Sequence, residues 1–424
     1  MMVLFMTILE KITYRFTMLF MICIPLFKFI SYVLYLSGVI ENSYVFNHVY
    51  VLWLSLPIFM VLYIINLIYK KINYVDIIIY FLIILALIST ILAQDITISI
   101  FGETNRNEGL LTILNYYFVF LNVKNICHKN YKEKIIKLFL ILGIIQVIYA
   151  FLQVYTDFSF IKHFSKEYMA MGLCGNPNFF GSYMVMLVLI SSTLYLFNKK
   201  NIYLILSIIY ALGLYLANST APFIGFLLGL IFLIIVYFKN INKVNLIKLI
   251  ILLIALFFIN DYFFNLRYET IKENNRRYNI KYEITDTVNS IVSKNEEYNY
   301  GSSRIRLWKN LIPVAKKYYL FGAGLDNLRV VYPQDKGLIY DKAHNVYYQI
   351  LITNGIFALI IYCLLCLIIF IKGFKFKNEF YIAMFIAFVG YCIQAFGNIS
   401  VIDVAPYFFI ILGLLYSKDN EIVI

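Results

Sequence analysis

A short list of side chains in this chain has the type and spacing to handle phosphate and hydroxyl groups. Most lie in the run from Gly301 to Leu351, GSSRIRLWKNLIPVAKKYYLFGAGLDNLRVVYPQDKGLIYDKAHNVYYQIL. Arg304, Arg306 and Trp308 fall on RIRLW, which reads as a helix between Gly301-Ser302-Ser303 and Pro313. Ser302 or Ser303 at the N-cap would leave helix amides beside Arg304, an arrangement that holds phosphate. A solvated basic surface helix accounts for the same pattern. His344 opens the next apolar run, with Asn345 beside it. An imidazole there can be neutral near pH 7 and accept a proton from a hydroxyl, or can simply anchor the helix end. Arg106 stands between Glu103 and Glu108 in FGETNRNEGLL. Its planar fork suits a bidentate grip on a diphosphate, or an ion pair with either glutamate.

Other polar groups have simpler readings. In GLCGNPNFFGSY, Asn176 followed by Pro177 is ordinary helix-start architecture, with Asn178 a second candidate for substrate contact. Phe321-Gly322-Ala323-Gly324 lacks the lysine and serine of a nucleotide phosphate loop and reads as a tight turn. Asn218 to Pro222 reads as another turn. Gln146 and Gln153 lie seven apart on one helix face, and Gln394 and Asn398 four apart on another, which points to interhelical hydrogen bonds. The six cysteines form no disulfide framework. Cys23, Cys363, Cys366 and Cys392 lie in apolar runs, Cys127 in a basic loop, and Cys174 is the one expected to face outward.

The elements that must position these groups are apolar. Of 424 residues, 62% are hydrophobic and 14% charged, and the mean hydropathy is +0.80, more than a soluble core consumes. The expected fold is an all-α polytopic membrane protein. Spans are predicted at 16–38, 49–69, 75–93, 109–123, 135–156, 177–197, 202–217, 221–238, 245–263, 345–371, 380–396 and 402–416, about twelve helices of membrane-crossing length. The first follows Lys11 and Arg15, is long and contains Lys28, and so reads as a retained helix, not a signal peptide. Of the lysines and arginines in alternate loops, 18 fall in one set, from Lys11 to Lys418. The short loops of the other set hold three, Arg106, Lys162 and Lys166. The first set should therefore be cytoplasmic, with both termini inside. The chain then divides into helices 1–9 over 1–263, an extracytoplasmic loop with short helices over 264–343, and helices 10–12 with a short cytoplasmic tail over 344–424. This placement of basic residues explains the net charge of +13 without nucleic acid. Nor do the halves repeat, as those of duplicated secondary carriers do.

Taken together, GSSRIRLW, the FGAG turn and AHNVYYQILITNGI resemble the O-antigen ligase and polymerase family of bacterial envelope glycosyltransferases. FGETNRNEGLLT, CGNPNFFGSY, ANSTAPFIGFLLG and QAFGNISVIDVAPYFFIILGL add looser support, so that the resemblance spans roughly residues 95 to 416. It implies a C-type glycosyltransferase architecture in the bacterial cytoplasmic membrane, with its active face extracytoplasmic. The donor would be an undecaprenyl-diphosphate-linked glycan, the acceptor a glycan or lipid, the surroundings membrane lipid, and no metal or other cofactor would be required. His344 matches the family histidine and Arg304 the arginine ahead of it, which makes these two the catalytic candidates. Arg106, Arg306, Trp308, Asn345, Asn176 and Asn178 are the substrate-binding candidates. Many ligases carry an arginine where this chain has Thr220, so polymerase and ligase remain open. A lipid-linked glycan flippase would also need outer and inner cationic sites, and an envelope scaffold or receptor would also account for the large loop. A flippase, however, should show charged residues along its spans, which here are nearly absent apart from Lys28.

Overall fold

The protein is described by a computed structural model that covers residues 2–39, 48–104, 106–156, 169–269, 304–333 and 340–417. In chain order the helices are α1 (Met2–Leu36), α2 (Val49–Tyr69), α3 (Tyr74–Ile91), α4 (Ile96–Phe101), α5 (Leu110–Val123) and α6 (Lys129–Tyr155). There follow α7 (Pro177–Asn198), α8 (Asn201–Ala217), α9 (Thr220–Tyr237), α10 (Lys243–Glu269), α11 (Arg304–Lys317) and α12 (Leu328–Val331). The last three are α13 (Val346–Gly373), α14 (Glu379–Gln394) and α15 (Ala405–Tyr416). Each of the twelve predicted apolar runs coincides with one of these helices. Among the described residues, eight helices are long and apolar enough to cross a membrane, while α5, α8, α14 and α15 are apolar but shorter. The fold is that of a polytopic helical membrane protein.

Some boundaries differ from expectation. Helix α1 begins at Met2, so Lys11 and Arg15 lie within it and do not precede it. Helix α10 runs on to Glu269, beyond the predicted start of the loop at 264. Helix α11 continues through Pro313 to Lys317. The 270–303 part of the predicted loop, with the proposed Ser302 or Ser303 cap, lies outside the described residues.

The chain divides into two compact units. The first comprises 1–140, 310–375 and 399–424. Helix α5 runs through its middle, packed on α2 and α15. Polar groups on α5 lock the register: Asn115 Nδ2 donates to the Leu52 carbonyl and to Ser55 Oγ, both at 2.9 Å, and Asn122 Nδ2 to the Phe59 carbonyl at 2.8 Å. In an apolar surrounding such bonds between helices decide which faces meet. A buried ion pair adds to this frame, with Lys124 Nζ 2.6 Å from Asp76 Oδ1. The buried His48 imidazole lies 2.8 Å from Asp403 Oδ1.

The second unit comprises 141–309 and 376–398. Its centre is α7, of which the most apolar stretch is buried throughout by α8, α9, α10 and α14. Small residues permit that enclosure. Gly225 and Gly229, four apart on α9, leave room for Gly390 of α14 and Leu189 of α7, since a Cβ on Gly225 would come within 2.7 Å of the Gly390 carbonyl.

Candidate active site

The chemistry-bearing residues divide between the units. Arg106, His344 and Asn345 belong to the first, and Arg304, Arg306, Trp308, Asn176 and Asn178 to the second.

In the first unit, His344 is built into the head of α13 by the residues around it. Asn345 is the N-cap, its side chain accepting from the Tyr348 amide at 3.0 Å, and Gln349 Oε1 reaches back to the Ala343 amide at 2.8 Å. His344 itself is half-buried and has φ of +50°, a left-handed conformation that costs a residue with a Cβ about 1–3 kcal/mol. Ahead of it, Asp341 Oδ2 lies 2.5 Å from Arg106 Nε. The arginine is thus paired with a carboxylate far away in sequence, whereas Glu103 and Glu108, its expected partners, are held by Arg329 and Lys342.

Lys342 is buried, with its ammonium 2.8 Å from Glu108 Oε2 and 2.7 Å from Asp326 Oδ1. The other oxygen of Asp326 accepts from the amides of Glu103 and Glu108, at 2.8 and 3.2 Å. One cation and two carboxylates therefore bind three segments together: the 103–108 loop, the turn ahead of α12, and the strap leading to His344. Burial works against the charge on Lys342, but Asp326 and Glu108 outweigh it and hold its pKa above the ordinary lysine value. For Glu108 burial prevails over the neighbouring ammonium, and its pKa is raised. Asp341 shows the reverse balance, since its bond to Arg106 overcomes burial and lowers its pKa.

Below His344, α13 is broken. Gly355 has φ 86° and ψ 176°, which divides the helix into 346–354 and 356–373. The carbonyls released by the break are taken up by the Gly-x-Gly turn: the Ala323 amide donates to Ile352 at 2.8 Å and the Gly324 amide to Thr353 at 3.2 Å. Ser89 Oγ of α3 also donates to Thr353, at 2.5 Å, and the Ile356 amide reaches the Tyr319 carbonyl at 2.8 Å. Irregular backbone persists in a membrane protein only where such partners satisfy it. A Cβ on Gly322 would collide with the Thr353 carbonyl and one on Gly355 with that of Leu320. The two glycines are thus required by the mutual approach of turn and break. The turn was expected from the sequence, but its partner was not.

In the second unit, Asn176 caps α7 by accepting from the Asn178 amide at 2.9 Å, with Pro177 at the first helical position. Asn178 Oδ1 accepts from Ser219 Oγ at 2.5 Å, and Asn398 Nδ2 donates to the Asn178 carbonyl at 2.9 Å. Gln394, the last residue of α14, bonds across to Ser182 of α7 as expected, whereas Asn398, expected on the same helix face, lies beyond the end of α14 and donates to Ser182 from there. Gln146 and Gln153 differ from expectation. They accept from the backbone amides of Met171, Gly172 and Leu173 and so hold the turn before α7, not another helix. Cys174, expected to face outward, is buried in that turn. On α11, Arg306 is exposed while Arg304 and Trp308 are half-buried. The Arg304 guanidinium lies beside Gly397, where an added Cβ would be in ordinary contact with Nη1 at 3.7 Å.

Sequence reasoning missed Asp341, Lys342, Glu108 and Asp326. The available signal was a pair of charges immediately before the histidine and an acid beside each of two turns. What brings them together is mainly pairing over long chain distances, 234 positions for Lys342 with Glu108 and 235 for Arg106 with Asp341, which no local pattern reveals.

Residues 202–363 match the profile of a family described as O-antigen ligase. No curated protein matches the chain. The matched stretch runs from α8 into α13 and takes in Arg304, the Gly-x-Gly turn, the Lys342 strap, His344 and the break at Gly355. Over that stretch, which is less than half of its length, the chain is similar to the O-antigen ligase family.

Proposed function

We propose that this protein is a glycosyltransferase of the bacterial cytoplasmic membrane. It moves a glycan from an undecaprenyl-diphosphate carrier to an acceptor hydroxyl on the outer face, as a step in making a cell-surface polysaccharide. Twelve spans with both termini inside would put the loop of α11 and α12 on that face, in keeping with the loop charges. The observation that carries the reading is the family match ending in α13, together with a half-buried histidine pinned in a strained backbone at the head of that helix.

In this reaction a bond forms between the acceptor oxygen and the anomeric carbon as the bond from that carbon to the diphosphate oxygen breaks, with inversion. The acceptor hydroxyl has a pKa far above 7, so its proton must leave as attack develops. His344 takes it, a contribution of roughly 10²–10⁴-fold in rate. The diphosphate leaves as an anion and needs fixed cations more than a proton. Arg304 and Arg106 have the planar donors for this, and Arg106 is already oriented by Asp341. Arg306, Trp308 and the asparagines 176, 178 and 345 are proposed as substrate contacts, the tryptophan by stacking on a sugar face. The reaction as written needs no metal.

The test is transfer by purified protein in detergent, with a lipid-linked glycan as donor. His344→Ala should remain folded and inserted yet form no product, and Arg304→Lys should slow transfer because a point charge does not reproduce the fork. Normal product from the His344→Ala protein would end the assignment.

A further inference from the structure

We propose that Lys342 is a positioning residue for this transfer, its buried ammonium fixing the 341–345 strap that sets the His344 imidazole; the inference rests on His344 being the base. Every described neighbour of the histidine in the strap is anchored: Asp341 by Arg106, Lys342 by Glu108 and Asp326, the Ala343 amide by Gln349, and Asn345 by the Tyr348 amide. His344 lies between these anchors in a backbone conformation that a free strap would abandon. Asn107 and Asp326 are left-handed as well, at φ 55° and 57°, and each belongs to or adjoins a partner of Lys342. Among the described residues, the other left-handed ones with side chains, Lys199 and Asn218, are C-caps, where that conformation is ordinary. Three strained positions thus meet at one ion cluster and are over-determined by it, the condition under which strain persists at functional sites.

Stability alone does not account for the cluster. A buried ion group is at best break-even against apolar residues of the same volume, because desolvation offsets the attraction. Its distinctive property is geometry. Two carboxylates from separate loops converge on one ammonium, and Asp326 also fixes the amides of Glu103 and Glu108 that bracket Arg106. One cluster therefore sets both the histidine and the arginine paired to the same strap.

The test compares Lys342→Met, Lys342→Arg and Glu108→Gln in the full-length purified protein. Donor and acceptor concentrations are varied, and the folded fraction is measured by size-exclusion chromatography. Displacing a reacting group by about 1 Å costs on the order of 10²-fold in rate. Lys342→Met and Glu108→Gln should therefore lower kcat by about that factor, with donor KM within a few-fold of wild type and the folded fraction unchanged. Lys342→Arg should recover part of the loss. Wild-type kcat in folded Lys342→Met overturns the proposal, as does a loss that merely tracks the folded fraction across the series. Should Lys342→Met fail to accumulate, Glu108→Gln, nearly isosteric and still able to hydrogen-bond, decides: normal kcat there overturns the proposal. His344→Ala separates the two readings. If it is inactive while the Lys342 and Glu108 variants behave as wild type, the transferase reading stands and this inference alone falls.

Discussion

Replacing Gly355 with alanine tests the link between the broken helix and the turn that serves it. At φ 86° and ψ 176° the backbone is open only to glycine, and a new Cβ would meet the Leu320 carbonyl and lie 2.7 Å from Phe321 Cα. Backbone atoms cannot swing aside, so the turn and the break must separate. Separation would abandon the bonds from the amides of Ala323, Gly324 and Ile356. At a net worth of about 1 kcal/mol each, plus about 1–3 kcal/mol for the backbone conformation, the cost is roughly 4–6 kcal/mol. For a chain of 424 residues such a loss corresponds to a fall in melting temperature of about 5–7 °C. Gly38→Ala is the matched control. It too has positive φ, +71°, but nothing lies within 4 Å of its added Cβ, so only the conformational cost of about 1–2 kcal/mol applies. Thermal unfolding of the purified protein, followed by intrinsic fluorescence, measures both. Gly355→Ala melting together with Gly38→Ala would show that turn and break are not coupled.

Two further outcomes follow from the ion pairs and the polar helix contacts. The pKa of Asp341 is lowered in the fold, so its pairing with Arg106 contributes stability above the unfolded carboxylate value of about 3.9 and loses it as pH falls through the folded value. Asp341→Asn should flatten the acid limb of the melting-temperature profile below about pH 4, and an unchanged limb would remove the pair from the account. Asn115→Leu deletes the bonds to Leu52 and Ser55 while keeping a similar volume, and should destabilise by about 0.5–2 kcal/mol in detergent unfolding. A neutral result would mean that shape alone sets the register of α5.

The sequence alone determined the helices. Hydropathy runs of spanning length and loop charges are local quantities, and lipid leaves a backbone few choices besides a helix, so each predicted run is helical in the structure. Local chemistry was likewise legible where its partner is near in the chain, as with Asn176 and Pro177 at the head of α7, or the glycines of the Gly-x-Gly turn. Only the tertiary structure decided which charges meet. Arg106 stands between two glutamates in sequence but pairs with Asp341, 235 positions away. Lys342 looks like one more loop lysine until the fold encloses it between Glu108 and Asp326. The break at Gly355 is equally silent, because a glycine inside an apolar run matches an intact helix until the FGAG turn arrives to accept its place. Burial makes the difference at Lys342 and at the break: a charge or a free carbonyl removed from solvent must find its partner through space, and chain distance does not constrain where that partner lies.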